Sequence, residues 1–490
     1  MNITFDKAKN GDITAVYNNI NLHSSYNPSR EAERFVNNLI IPYTPPLIII
    51  IEPCISYIVP LMKTKYPNSK IALIRFDTSF SEYNKTADYV LNYFEHTLDF
   101  SNYLYNTFGE ELLFTAYFVQ WEPSAKAFYK LNQSVIKSIT ETLEKSKTLL
   151  VTREYFEKKW FLNSVNFIRY SNNLVKLTEI ISCPVLIVSS GPSLTRCLDI
   201  IKINQNKMFI ICLSSAISVL LRNNIIPDLC ITTDGGFWAG QHLKRLSKYN
   251  IPIAVPLEGY IQKEILNTKQ ILPLGYNDGL SNELCRIMNF PTTHAERNGT
   301  VSGTALIFAL DNSSNDIYFA GLDMSNQRGY QHTQPNENEL NNSINDYKIN
   351  SKEKRISRSE YSNGVMNIYK EWFDSLDLKN RDVYRIIDTQ YKHNTLGYIQ
   401  DISSDKFSNK VLSFTNSKEN KYISPISFKY DNSLLTNIIT KNLNTPSWMK
   451  KLYPLSYTAL THNENNTDIL NRLNKENTKL LQKIGKILDD

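Results

Sequence analysis

The 490-residue chain is predicted to be an α/β protein: a central Rossmann-like parallel sheet with helices on both faces, a smaller N-terminal α/β domain and a helical C-terminal region. Three observations predict this. Short apolar runs such as Val185–Val188 are too short for helices, suit strands covered on both faces, and lead directly into helical patterns. The unit recurs at Met208–Leu213 and Leu229–Thr233, with a helical stretch at Ser215–Asn223 and a turn at Pro227 between them. The length exceeds what one hydrophobic core supports. The chain is accordingly divided into an N-terminal Rossmann-like domain (1–130), a helical linker (131–178), a central domain (179–422) and a C-terminal helical domain (423–490).

In the N-terminal domain, Leu47–Ile51 reads as a buried strand, Ser56–Thr64 as a helix and Lys70–Phe76 as a second strand. The first strand runs into Glu52-Pro53-Cys54-Ile55, where a nucleotide-binding turn needs glycine for close backbone approach. This domain is therefore expected to hold no nucleotide and to have a structural or acceptor-binding role. Leu112–Phe128 closes it with another buried strand before Trp121. Leu131–Val175 has apolar residues at helical spacing, which core packing explains.

The central domain carries the chemistry. Val185–Val188 breaks into Ser189-Ser190-Gly191-Pro192-Ser193: glycine permits a close approach, and Pro192 and Ser193 suit a first helical turn, whose amides and dipole attract an anion. In doubly wound sheets, ligands bind at the carboxyl ends of the strands. Those ends carry Ser189 and Ser190, then Ser214 and Ser215, then Thr233, Asp234 and Gly235. Further on, Arg297-Asn-Gly-Thr-Val-Ser-Gly-Thr304 opens the helix Ala305–Leu310, and Asn315–Ala320 forms a strand ending in Gly321-Leu322-Asp323. Thr300, Ser302, Gly303 and Thr304 lie where helix N-terminal amides lack partners; capping is the structural alternative for Ser302 and Thr304.

The order GPSL, SSAISVL…PD…TTDGG and GTVSGTALIFAL…IYFAGLDMS resembles the motility accessory factor family, flagellin glycosyltransferases whose central domain is similar to bacterial sialyltransferases (a GT-A variant). Leu22–Phe35, LHSSYNPSREAERF, resembles that family's N-terminal signature. The resemblance implies transfer of a nonulosonic acid, of the pseudaminic or legionaminic type, from a CMP-activated donor to a Ser or Thr hydroxyl of flagellin. It implies that Ser190, Gly191, Pro192, Ser193, Ser214, Asp234, Thr300, Ser302, Gly303 and Gly321 contact the nucleotide, with Asp323 and His332 catalytic. An imidazole suits a general base for a hydroxyl acceptor. His294 is the second candidate, and Arg297 suits a phosphate or a sugar carboxylate. The sialyltransferases have asparagine where this chain has Ser190 and Ser214, which changes the donors available to cytidine.

Two rival readings remain. Archaeal relatives of the GPSL domain transfer diphosphate from ATP to a hydroxymethylpterin; that chemistry needs Mg2+, for which Asp234 and Asp323 are candidate carboxylates, whereas the glycosyltransferase reading requires no certain cofactor. The other is a non-catalytic flagellin-binding scaffold.

The charge balance, 54 Lys and Arg against 48 Asp and Glu, is too even and dispersed to argue for a nucleic-acid partner. The six cysteines show no metal-ligand spacing and read as core residues of a reducing compartment. The N-terminus lacks a signal pattern and no apolar run has transmembrane length, so a soluble cytoplasmic protein is expected. Gln334–Asn345 reads as a loop over the site, Asn363–Leu376 as a helix and Val383–Asp388 as a strand rejoining the sheet. Thr467–Leu488 reads as an amphipathic helix whose stripe either docks on its own core or meets flagellin or a second copy in a homo-oligomer.

Overall fold

A computed structural model describes residues 3–324, 332–354, 364–387, 395–414, 418, 422–428, 430–462 and 467–489. The chain divides into two compact units, Met1–Lys158 with Lys441–Leu480, and Lys159–Thr440 with Leu481–Asp490.

The first unit opens with the antiparallel strands β1 (Thr4–Lys7), β2 (Ile13–Tyr17) and β3 (Ile20–Asn21). Its main sheet contains β4 (Leu47–Ile51), β5 (Lys70–Arg75), β6 (Tyr89–Asn92) and β7 (Tyr117–Gln120), all parallel, in the order β6-β5-β4-β7. Every residue of β4 is buried, as its uninterrupted Leu-Ile run requires of a strand covered on both faces. The chain reverses direction between β4 and β7, the position where such sheets open a ligand crevice. Here that crevice is filled by the chain itself. His23, from the N-terminal signature, is buried with its ring 5.3 Å from that of Trp121 at the end of β7, and its Nε2 accepts a hydrogen bond from the Ile55 amide. Trp121 Nε1 donates to the carbonyl of Leu22. Arg75 at the end of β5 reaches into the turn after β4, donating from Nη1 to Glu52 Oε1 (2.8 Å) and the Cys54 carbonyl, and from Nη2 to Ser56 Oγ. Glu52, Cys54 and Ser56 all have positive φ, so the turn adopts the backbone that glycine would favour but wraps it around a guanidinium.

The second unit holds a nine-stranded sheet: β9 (Val185–Val188), β10 (Phe209–Leu213), β11 (Leu229–Ile231), β12 (Ile253–Pro256), β13 (Ile271–Gly275), β14 (Thr293–His294), β15 (Ile317–Ala320), β16 (Val383–Ile386) and β17 (Gln400–Ile402). All pairs are parallel and the order is β14-β13-β12-β11-β10-β9-β15-β16-β17. A separate antiparallel pair joins β8 (Val175–Leu177) to β18 (Ile423–Pro425). The α/β class with a large parallel sheet flanked by helices is thus the architecture observed. β9, β10 and β15 are buried throughout, and the helix Val301–Asn312 buries every residue from Ser302 to Leu310, so the centre of the sheet is shielded from bulk solvent.

Sequence patterning located these central strands to within one or two residues but passed over β12, β13, β14 and β17, which are short or interrupted by proline and glycine. In the first unit, Leu112–Thr115 ends the helix Phe100–Thr115, and β7, read as a buried strand, has only Val119 buried. In the second unit one segment differs in kind. Gln334–Asn345, read as a loop, contains the helix Glu337–Ile344, started by Asn336, whose side chain accepts from the amides of Asn338 and Glu339. Asp388 of the predicted Val383–Asp388 strand and Asn363 of the predicted Asn363–Leu376 helix lie outside the described residues. In the helix Thr467–Asp489, Leu473, Leu480, Ile484 and Leu488 of the apolar stripe are buried while Leu470 is exposed. All six cysteines are free and buried. Among the described residues no helix is long and apolar enough to cross a membrane.

Candidate functional site

β9 hydrogen-bonds to β10 on one side and to β15 on the other, so the chain winds outward from β9 to β14 and then returns to the opposite flank. The switch point therefore lies between the carboxyl ends of β9 and β15, where Ser189–Ser193 meet Gly321–Asp323. The two turns are joined closely: Gly191 N donates to the Gly321 carbonyl (2.9 Å), and Ser189 N to the Ala320 carbonyl (2.9 Å). Gly321 has φ +72°, and a Cβ there would strike the Ser189 carbonyl, so its glycine is required twice over. Gly191 needs glycine for space alone: its φ is not positive, and a Cβ would collide with the Gly321 carbonyl and lie 2.7 Å from Asp323 Oδ2.

Asp323 is buried and binds Ser193 with both carboxylate oxygens. Oδ2 accepts the Ser193 amide at 2.9 Å, and Oδ1 accepts its hydroxyl. The carboxylate thus occupies the place at the start of the helix Leu194–Asn204 where the sequence pattern suggested a phosphate. Ser193 belongs to this internal brace, and Pro192 precedes it, its carbonyl accepting the Thr195 amide. The brace also leaves Asp323 poorly disposed as a magnesium ligand, since a metal would compete with both bonds.

A row of hydroxyls runs along the same strand ends. Ser189 Oγ lies 3.2 Å from Ser302 Oγ. Ser190 Oγ accepts from Ser215 Oγ at 2.9 Å and lies 3.2 Å from His332 Nδ1. Ser214 Oγ donates to Thr232 Oγ1 at 3.2 Å. The segment carrying His332 is pinned to the serine-glycine turn by Thr333, whose amide donates to the Ser190 carbonyl (2.7 Å) and whose hydroxyl donates to the Gly191 carbonyl (2.5 Å). Asn336 Nδ2 adds a bond to the Ser215 carbonyl. Burial pushes the His332 imidazolium toward the neutral form, lowering its pKa from the ordinary 6.5; nearby Glu339 opposes the shift and His242 reinforces it.

The helix Val301–Asn312 begins beside this row. Thr300 is its N-cap, accepting the Gly303 amide at 2.9 Å, and Gly303 has no room for a side chain because Asn298 packs against it. Thr304 Oγ1 donates to the Glu296 carbonyl and accepts from Asn298 Nδ2, so it serves the turn. The capping alternative therefore holds for neither residue: the cap is Thr300, Thr304 lies inside the helix, and Ser302 faces Ser189. The Val301 and Ser302 amides, in the first turn, have no hydrogen-bond partner among the described residues and remain oriented toward the helix mouth.

Asp234 lies beyond β11, exposed, with Oδ1 accepting the Gly236 amide at 2.8 Å. Arg297 is engaged elsewhere: Nη2 donates to Glu258 Oε2 (2.6 Å) and Asp278 Oδ1 (3.0 Å), and the guanidinium lies against the rings of Trp160 and Tyr276. It braces the loops after β12 and β13 instead of facing an anion. His294 sits on β14 at the edge of the sheet, paired to Asp311 at 2.9 Å, five strands from β9. The geometry thus brings Ser190, Gly191, Ser214, Ser302, Gly321, Asp323 and His332 together and separates His294 and Arg297 from them. Sequence reasoning missed the pinning by Thr333 and Asn336, although Asn336 followed by Glu337 and Glu339 is a legible helix start.

The brace makes a direct prediction. Asp323→Ala leaves the Ser193 amide and hydroxyl without acceptors and is expected to cost about 1–3 kcal/mol. Asp234→Ala, at an exposed position, is expected to stay within about 0.5 kcal/mol. Urea midpoints of the second unit check this; equal midpoints for the two variants would contradict the brace.

Residues 159–329 match the family model described as 6-hydroxymethylpterin diphosphokinase MptE-like. This supports the family resemblance read from the motifs, in which the accessory factors and the archaeal pterin enzymes share this domain. An uncharacterized protein of Treponema pallidum (strain Nichols) is 33% identical over 235 residues, 48% of this chain and 52% of that protein, so the chain spans about half the length of this curated relative. Among solved structures, a MAf glycosyltransferase from Magnetospirillum magneticum AMB-1 aligns over 100% of this chain and 91% of its own, at 11% identity and a TM-score of 0.49.

Proposed function

We propose that the chain is a glycosyltransferase of the motility accessory factor type, moving a nonulosonic acid from a CMP-activated donor to a serine or threonine hydroxyl of flagellin in the cytoplasm. The observation that carries this reading is the contact of His332 with Ser190 at the switch point of the sheet, beside a helix start with unpartnered amides. In the tautomer that suits catalysis, Nδ1–H donates to Ser190 Oγ, leaving Nε2 free as a base. The acceptor oxygen attacks the anomeric carbon, its proton passes to Nε2, and the bond from that carbon to the phosphate oxygen breaks with its electrons leaving on CMP. The phosphate is assigned to the mouth of the helix Val301–Asn312, where the Val301 and Ser302 amides oppose the growing charge. Ser190, Ser214, Thr300, Gly303, Gly321 and Asp234 line or shape the nucleotide region around it, and Gly191, Pro192, Ser193 and Asp323 hold it in place.

The description of the matched family favours a second reading, diphosphate transfer from ATP to a pterin with Mg2+. Thermal denaturation with CMP, CDP, UDP and ATP, with and without Mg2+, separates the two, because a ligand that binds only the native state raises the midpoint. CMP at a hundredfold excess over its Kd is expected to add about 2.7 kcal/mol without Mg2+. A response to ATP that requires Mg2+, with none to CMP, would overturn the glycosyltransferase reading.

A further inference from the structure

A cavity of about 530 Å³ lies beside the segment that carries His332, lined by Arg222, Lys244, Arg245 and Lys248 together with Ser218, Ser247, Tyr249, Leu221 and Pro335. The four cations come from two places: Arg222 ends the helix Ile217–Arg222, and the other three lie on the turn Lys244–Lys248. Among the described residues, the carboxylate ion-paired to a lining cation is Glu337, 3.6 Å from Arg245. Glu337 is itself held by Ser218 Oγ (2.6 Å) and by His242 Nδ1 (2.8 Å), so its charge is shared among three groups. A fifth cation reinforces the field from outside, Lys269 donating to the carbonyls of Ser247 and Tyr249. These four cations, all exposed, give one concavity a positive field that attracts an anion.

We propose that this cavity is an anion subsite taking the phosphate or diphosphate end of a small molecule. Its size is that of a small-molecule site and exceeds a bare phosphate, so the anionic group is carried on a larger body whose apolar part meets Leu221 and Pro335. A phosphate-class group offers two negative charges and three acceptor oxygens, which matches several convergent donors better than one carboxylate does. The site communicates with the catalytic segment through its own residues. Pro335 and Glu337 flank Asn336, which binds Ser215, and Ser215 binds the Ser190 that contacts His332. An anion that draws Arg245 away from Glu337 thus acts on the segment positioning His332.

The test uses the full chain and pyrophosphate as the probe, by titration calorimetry at low salt. Wild type is expected to bind, and Arg222→Ala/Lys248→Ala to bind at least about tenfold more weakly, the loss of roughly one charge-assisted contact. Neither residue belongs to the donor site, so the variant is expected to keep the wild-type thermal response to CMP; that separates failure of this subsite from failure of the glycosyltransferase reading. Undetectable pyrophosphate binding by wild type, or equal binding by wild type and variant, would overturn the subsite.

Discussion

His332→Ala is expected to keep donor binding and to lose roughly 10²–10⁴-fold in the rate of transfer to the acceptor, the usual worth of a general base. Binding survives because the imidazole contacts Ser190 Oγ while the segment is held independently by Thr333 and Asn336. The pH profile adds a sign. Burial lowers the His332 pKa below 6.5, so the neutral, proton-accepting form persists to lower pH than an exposed histidine would allow. The ascending limb of transfer rate against pH is therefore expected below 6.5 and absent in the variant. Ser190→Ala, which removes both the partner of Nδ1 and a hydroxyl of the nucleotide region, is expected to lower the rate by more than it weakens CMP binding, since it also frees the ring to adopt either tautomer. Transfer at the wild-type rate by His332→Ala would remove histidine from the mechanism and leave the departing phosphate as the proton acceptor.

The parts of this site that were legible in sequence are those fixed locally. Apolar runs ending in serine or glycine identified the strand ends of β9, β10 and β15, because a strand buried on both faces has few residue types to draw on and its end must turn. Roles were less legible, because they depend on which strand ends become neighbours. Asp323 is 130 residues from Ser193 in the chain, and only the pairing of β9 with β15 brings its carboxylate to the amide where a phosphate was expected. Arg297 has the chemistry to bind an anion, yet Glu258 and Asp278 reach it first across the loops after β12 and β13. His332 is the converse: its position after Asp323 suggested the site, and Thr333, locked to the backbone of Ser190 and Gly191, gives that suggestion its geometry.

The second large effect is expected in the first unit, where the missing glycine after β4 signalled an altered turn but not what fills it. Arg75→Met leaves the Glu52 carboxylate buried without its cation and removes the donors to the Cys54 carbonyl and Ser56 Oγ; the cost is expected to be about 3–5 kcal/mol. Glu52→Gln/Arg75→Met, which removes both charges, is expected to cost much less than the sum of the single changes, because the attraction lost is matched by desolvation no longer required. The same pocket makes the unit sensitive to acid. Burial, reinforced by the charge of Arg75, lowers the pKa of His23 from 6.5 to about 3. Between those values the unfolded chain binds a proton that the native unit does not, so stability falls as pH falls below 6.5, by up to about 1.4 kcal/mol per pH unit. Urea denaturation of the first unit at pH 7.5 and 5.0 is expected to differ by about 2 kcal/mol on this account, and His23→Gln to flatten the difference. Burial raises the pKa of Glu31 and Glu52 in the same pocket, which acts in the opposite direction; a pH difference in wild type that His23→Gln leaves unchanged would therefore overturn the assignment to His23.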